Sequence, residues 1–291
     1  MSTVGLIGLG IMGSAMAEHL SLAGFKIVGY DIDLDKRMVA DVAVQCPRDV
    51  AERTDVVLTV LPSAAALADV IAGTNGLIAA GNENLLVADC GTFDLEDKER
   101  CRKTLEAAHM RMLDCTMSGT GAQARAKDVV VYASGAEAEY QRSLPVFEGF
   151  ARASHYVGPF GNGSKLKYVA NLLVAIHTVA AAEAMVVAER AGLDLHAVYD
   201  LIRTGAGSSR MFELRAPLMA AGEYLENVQS RMELWQKDMQ VIGRYVRDLH
   251  CATPLFAASS QIYNAAMAQG HGAADMAAVC AVLESLAGVR R

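Results

Sequence analysis

The chain has 291 residues, 53 % of them hydrophobic, and a net charge of −7. That length and apolar share suffices for a large core and two domains, and it excludes a disordered or low-complexity chain. Scattered lysines and arginines in an acidic chain argue against a nucleic-acid partner. Six cysteines (Cys46, Cys90, Cys101, Cys115, Cys251 and Cys280) form no Cys-x-x-Cys pair, which speaks against a zinc site or disulfide framework and fits reduced thiols in a cytoplasmic protein.

In chain order, "TVGLIGLG" is an aliphatic run ending in glycines, and "IMGSAMAEHLSLAG" places apolar residues at helical spacing before stopping at Gly24. This predicts strand, turn and helix, with no basic n-region for a signal peptide. "FKIVGYD", "TDVVLTVLP" and "ENLLVADCGT" read as three further strands, and "MRMLDCTMSG", "DVVVYASG" and "ASHYVGP" as three more. Helical segments at 63–71, 94–107 and 136–147 lie between them, so the alternation predicts a doubly wound α/β domain of Rossmann type with a parallel sheet. After Pro159 only helical patterns follow, giving expected domains at 1–160 (dinucleotide-binding) and 161–291 (all-α, for substrate and oligomerisation). Asp194 and Thr253-Pro254 read as helix starts. The apolar stretch 169–187 is interrupted by Asn171, His177, Thr178 and Glu183, which fits a buried helix of a soluble protein better than a membrane span.

Two motifs point to chemistry. Gly8-Leu9-Gly10-Ile11-Met12-Gly13 follows a strand and opens a helix, the context in which G-x-G-x-x-G cradles a pyrophosphate on a helix N-terminus. Asp31 ends the second strand, 18 residues past Gly13, where a carboxylate bonds a ribose 2′-hydroxyl and repels a 2′-phosphate, so NAD is expected over NADP. The second motif is "GPFGNGSKLKYVAN". Lys167 and Asn171 are four residues apart, on one helix face, and could together meet a substrate oxygen; a solvated first turn holding Lys165, Lys167 and Asn171 is the alternative.

"GLIGLGIMGSAMAEHL", "DCTMSGTGAQARAKDVVVYASG", "GPFGNGSKLKYVANLL" and "QKDMQVI" resemble, in order, the four signature blocks of the β-hydroxyacid dehydrogenases, a family that includes 3-hydroxyisobutyrate dehydrogenase and tartronate semialdehyde reductase. The resemblance implies a Rossmann domain, a helical C-terminal domain and reversible hydride transfer between a nicotinamide and a 3-hydroxy acid or its semialdehyde. It places the general acid/base on Lys167 rather than Lys165 and matches Asn171, with Ala170 where the family often has another asparagine. It assigns Ser118 and Gly119 to the substrate carboxylate. Thr116-Met117, Thr120 and Gln123 depart from its pattern there, leaving the substrate's side group open, and Thr120 and Gln123 point to a more polar pocket. Leu61-Pro62 and Thr92 match cofactor loops, and Lys237, of the pair Lys237-Asp238, matches a lysine that approaches both cofactor and substrate.

The expectation is therefore an NAD-dependent 3-hydroxyacid dehydrogenase, a homodimer or homotetramer, with no metal, nucleic-acid or membrane partner. The rivals are an imine reductase of the same architecture, against which Lys167 and Asp31 count, and a non-catalytic dinucleotide-binding scaffold. Seven histidines lack metal-ligand spacing, and Trp235 either lines the pocket or packs.

Overall fold

In the computed structural model, which describes residues 2–226 and 228–289, the aliphatic runs of the first half form one sheet of eight strands. They are β1 (Thr3–Ile7), β2 (Lys26–Tyr30), β3 (Val42–Ala43), β4 (Val56–Thr59), β5 (Leu86–Asp89), β6 (Arg111–Ser118), β7 (Val130–Ser134) and β8 (Ala153–Tyr156). Their order is β3-β2-β1-β4-β5-β6-β7-β8. The chain leaves β1 in one direction for β2 and β3, then returns to β1's other side for β4, so the order reverses between β1 and β4. In a doubly wound sheet that reversal is where ligands bind.

Both faces of the sheet are covered, which explains why β4 and β5 read as continuous apolar runs and are buried at every residue. Leu58 and Leu86 feed a core with Met16, Leu20 and Phe147, from α1 (Ile11–Leu22) and α6 (Glu137–Phe150). Their neighbours Val57 and Val87 feed the opposite core with Val50, Leu67 and Leu105, from α2 (Pro47–Ala51), α3 (Ala64–Ala72) and α4 (Leu95–Ala107). Each fully buried aliphatic side chain contributes about 1.5–3 kcal/mol. An exposed ion pair such as Lys36–Asp33 is screened by solvent and adds little, so the covered faces hold this unit together.

The sheet is not wholly parallel. β6 and β7 pair antiparallel, with Ser118 opposite Val130. Only a short link carrying the five-residue α5 (Gly121–Arg125) joins them, too little chain for the crossover that parallel pairing requires.

The chain packs into two compact units, one running to Lys167 and the other starting at Tyr168. The second is built from helices: the remainder of α7 (Asn162–Arg190), α8 (Leu195–Ile202), α9 (Arg210–Ala221), α10 (Met232–Asp248), α11 (Pro254–Ala268) and α12 (Val279–Leu286). By length and composition α7 is apolar enough to cross a membrane. Its Ala175, Ala182 and Met185, however, are fully buried in a core with Phe212, Met219, Ile242 and Tyr263. Trp235 belongs to that core at 6 % exposure, so it packs. Asp194 caps α8 by accepting from the His196 and Ala197 amides, and α11 begins at Pro254. A buried ion pair ties α9 to the segment before α12: Arg215 Nη1 lies 2.9 Å from Asp275 Oδ2. Asp275 also accepts from the Gln229, Ser230 and Ala277 amides.

Candidate active site

The glycine turn after β1 is shaped by what its neighbours leave room for. Gly8 sits at φ +92°, and a Cβ there would lie 2.2 Å from Val60 O. At Gly13 a Cβ would lie 1.9 Å from Gly8 O, so helix α1 can pack onto the turn only without a side chain. At Gly10, by contrast, a Cβ would meet nothing within 4 Å. Gly10 is the N-cap of α1 and no side chain caps it. An open space before uncapped amides at the positive end of a 12-residue helix fits a pyrophosphate. Leu9 is buried beneath the turn, while Ile11 is 69 % exposed and Met12 half-buried.

Asp31 follows β2 and fixes this turn: its Oδ2 accepts from the Leu9 amide at 2.7 Å and its Oδ1 from the Asp33 amide at 2.9 Å. Each carboxylate oxygen keeps a second lone pair for a ribose hydroxyl. The nearby Arg37 is buried and engaged by the chain itself. Its Nε donates to Asp31 O at 2.6 Å and its Nη1 to Val44 O at 3.1 Å, and it stacks 4.7 Å over the Tyr30 ring. Leu61-Pro62 and Thr92 follow β4 and β5. All of these residues therefore lie at the C-terminal ends of parallel strands, around the β1/β4 reversal.

β6 ends at the same edge with Ser118. Gly119 has φ +145°, and a Cβ there would lie 2.8 Å from Val129 Cγ1, so the turn requires glycine. Thr120 and Gln123 form a capping box on α5: Thr120 Oγ1 accepts from the Gln123 amide and Gln123 Oε1 from the Thr120 amide. Gln123 Nε2 also donates to Asp128 Oδ2 at 3.2 Å. Gln123 thus spends its polar atoms on the loop, whereas Thr120 keeps a hydroxyl proton to donate.

The first turn of α7 is seated on the sheet. A Cβ at Gly163 would lie 2.5 Å from Tyr132 O and 2.8 Å from Asp114 O. Its amide donates to Ser134 Oγ (2.9 Å) and its carbonyl accepts from Thr116 Oγ1 (2.8 Å). The Ser164 amide donates to Asp114 Oδ2 at 2.7 Å, a buried carboxylate capping the helix start. Gly163 and Ser164 are there because this turn docks on β6 and β7, and Gly161 because its φ is +92° and a Cβ would lie 2.6 Å from Leu95 Cδ1 of α4. Lys165 and Lys167, both half-buried, then point about 200° apart around the helix. Lys165 Nζ lies 3.4 Å from Asn162 Oδ1. In the second unit Asn171 is 4 % exposed and its Nδ2 donates to Asp238 Oδ2 at 3.3 Å. Lys237 Nζ lies 3.5 Å from the other oxygen, Asp238 Oδ1.

Sequence reasoning named neither Asp114, Ser134 and Ser164 nor Asp238 as functional. The available signal was a carboxylate in an apolar strand run, Asp89 at the end of β5 and Asp114 within β6, since a charge so placed demands partners.

A fold with its glycine turn at the sheet's reversal point and an acid after β2 defines a dinucleotide-binding protein with a helical second part. Residues 3–158 match the model for the NAD binding domain of 6-phosphogluconate dehydrogenase, and residues 161–283 the model for the NAD-binding region of NADP-dependent 3-hydroxyisobutyrate dehydrogenase. L-threonate dehydrogenase from Cupriavidus necator is 33 % identical over 288 residues, covering 97 % of this chain and 96 % of the relative. The crystal structure of a 3-hydroxyisobutyrate dehydrogenase from Salmonella typhimurium superposes with a TM-score of 0.86 at 29 % identity, covering 97 % and 100 % of the two chains. A Mycobacterium tuberculosis 3-hydroxyisobutyrate dehydrogenase solved with L-serine gives 0.85 at 26 % identity, covering 97 % and 99 %. The chain belongs to the β-hydroxyacid dehydrogenase family, and its first half is an NAD-binding domain.

Proposed function

We propose that the protein is an NAD-dependent dehydrogenase of a small hydroxy acid, with Lys167 as general acid/base. The observation that carries this reading is the double use of β6. Ser118 ends the strand, and Asp114 of the same strand caps the helix turn that leads to Lys167. A candidate anion holder and a candidate proton carrier are thereby tied to one rigid element, as positioning for catalysis requires.

NAD, when bound, supplies the hydride acceptor. In that direction Lys167 Nζ, in its neutral form, takes the proton of the substrate hydroxyl, and in reduction the ammonium returns it to the carbonyl oxygen. Ser118 Oγ and the Gly119 amide hold the substrate carboxylate, as hydrogen bonds to a charged acceptor favour. Asn171, one turn beyond Lys167 and held by Asp238, orients the reacting oxygen. Thr120 and Gln123 act through the capping box that fixes the Ser118-Gly119 turn, with the Thr120 hydroxyl as a further donor. Lys237 is assigned to the cofactor and substrate as well.

On substrate, the polar Thr120 and the relatives named L-threonate dehydrogenase favour an acid with hydroxyls along its carbons over one with a methyl branch. Purified protein assayed for NADH formation over a panel containing L-threonate, 3-hydroxyisobutyrate and simple alcohols tests this reading. Turnover of a hydroxy acid without turnover of the alcohols supports it, and higher efficiency with 3-hydroxyisobutyrate than with threonate overturns the substrate preference.

A further inference from the structure

We propose that Lys98, buried on α4 and outside every motif described above, is a positioning residue that sets the placement of Lys167 by pinning the Asp114 carboxylate beneath α7. Its Nζ lies 2.6 Å from Asp114 Oδ1 and 2.8 Å from Asp89 Oδ2, and all three side chains are 0 % exposed. Asp89 is held from its other side by Thr59 Oγ1, which donates to Oδ1 at 2.7 Å. Asp114 then reaches α7 twice: Oδ2 accepts the Ser164 amide at 2.7 Å and Oδ1 the Ser164 hydroxyl at 2.9 Å. Ser134 Oγ lies 3.2 Å from Asp114 Oδ2 and accepts the Gly163 amide at 2.9 Å. The chain of contacts thus runs from α4 through the end of β5 and the middle of β6 to the first turn of α7, and Lys167 follows Ser164 by three residues, on the same helical face.

The electrostatics make Lys98 the member on which the rest depend. Two carboxylates facing one site in a dry interior cannot both stay ionised without a cation between them. Burial alone would lower the Lys98 pKa, but Asp114 and then Asp89 hold it raised, so the ammonium is kept. Without it the two carboxylates repel each other, Asp114 is no longer pinned under Ser164, and the turn carrying Lys167 loosens. A mere stability role for Lys98 would lower the melting temperature without changing the rate of the folded enzyme.

This inference rests on the reading of Lys167 as acid/base. The test compares the full chain as wild type, Lys98→Met, Lys98→Met/Asp89→Asn and Ser164→Ala. Each is titrated with NADH so that rates are expressed per dinucleotide site, and amide hydrogen exchange is followed over residues 163–167. In Lys98→Met, kcat per site is expected to fall about tenfold to a hundredfold with NADH affinity unchanged, the loss typical of a small misplacement. Exchange of residues 163–167 is expected to quicken while β1 and β4 keep their protection. Asp89→Asn in the double variant leaves Asp114 as the only carboxylate, so part of kcat should return. Where Lys98→Met fails to fold, Ser164→Ala, which removes one hydroxyl, must still quicken the exchange and lower kcat. Unchanged kcat per site, or a fall in kcat with exchange unaltered, overturns the proposal. A wild type that turns over no hydroxy acid defeats the dehydrogenase reading instead, and the exchange result then decides the anchor by itself.

Discussion

Asp31 braces the glycine turn through Leu9, and the proposed function gives the same carboxylate a second job as acceptor for a ribose hydroxyl. Arg37, a cation that would otherwise suit a 2′-phosphate, is engaged by Asp31 O, Val44 O and the Tyr30 ring. Catalytic efficiency is therefore expected to favour NAD over NADP at least about tenfold, since one lost hydrogen bond plus charge repulsion amounts to about 1.4 kcal/mol or more. Steady-state kinetics with both dinucleotides check this, and equal efficiencies would rule it out. Ser118→Ala removes a hydroxyl assigned to the substrate carboxylate. A hydrogen bond to a charged group is worth about 1.5–3 kcal/mol, so kcat/KM for the hydroxy acid should fall roughly tenfold to a hundredfold while NADH binding is unchanged. A variant as efficient as the wild type would show that the carboxylate is held elsewhere.

Within the second unit, the loops at 229–230 and 274–277 hang on one residue. Asp275 takes three backbone amides and a buried guanidinium, and Arg215 supplies only the last of these. Asp275→Ala strands all four donors and is expected to cost about 3–5 kcal/mol. Arg215→Met leaves Asp275 with three amides and should cost less. Urea unfolding followed by the fluorescence of Trp235, the chain's single tryptophan and a core residue of this unit, gives the order; the reverse order would contradict the assignment. This dependence was not legible in the sequence, because Asp275 and Arg215 are 60 residues apart and neither lies in a periodic run. What was legible is what local physics dictates. The aliphatic runs became strands, the turn from Gly8 to Gly13 opened a helix, and Asp194 and Pro254 started theirs. β3 has two residues and α2 and α5 five each, too short to leave a period. The antiparallel β6/β7 pair follows from link length, not from any strand pattern. The candidate site was legible where a motif has a fixed spacing; the lattice of Lys98, Asp89, Asp114 and Ser164 was not, because partners from β5, β6, α4 and α7 meet only after the sheet has formed.

Taken together, the two units read as a cofactor-binding sheet followed by a helical part, with α7 beginning in the first and continuing into the second. The central claim is that one lysine of α7, Lys167, moves the proton. The most direct measurement is turnover of Lys167→Ala and Lys165→Ala beside the wild type on the best hydroxy acid of the panel, with NADH binding measured in each. Lys167→Ala is expected to lose about a hundredfold to ten-thousandfold in kcat, the range of general acid–base catalysis, while binding NADH normally. Lys165→Ala, pointing the other way around the helix, should keep nearly full activity. An inactive Lys165 variant beside an active Lys167 variant would contradict the account.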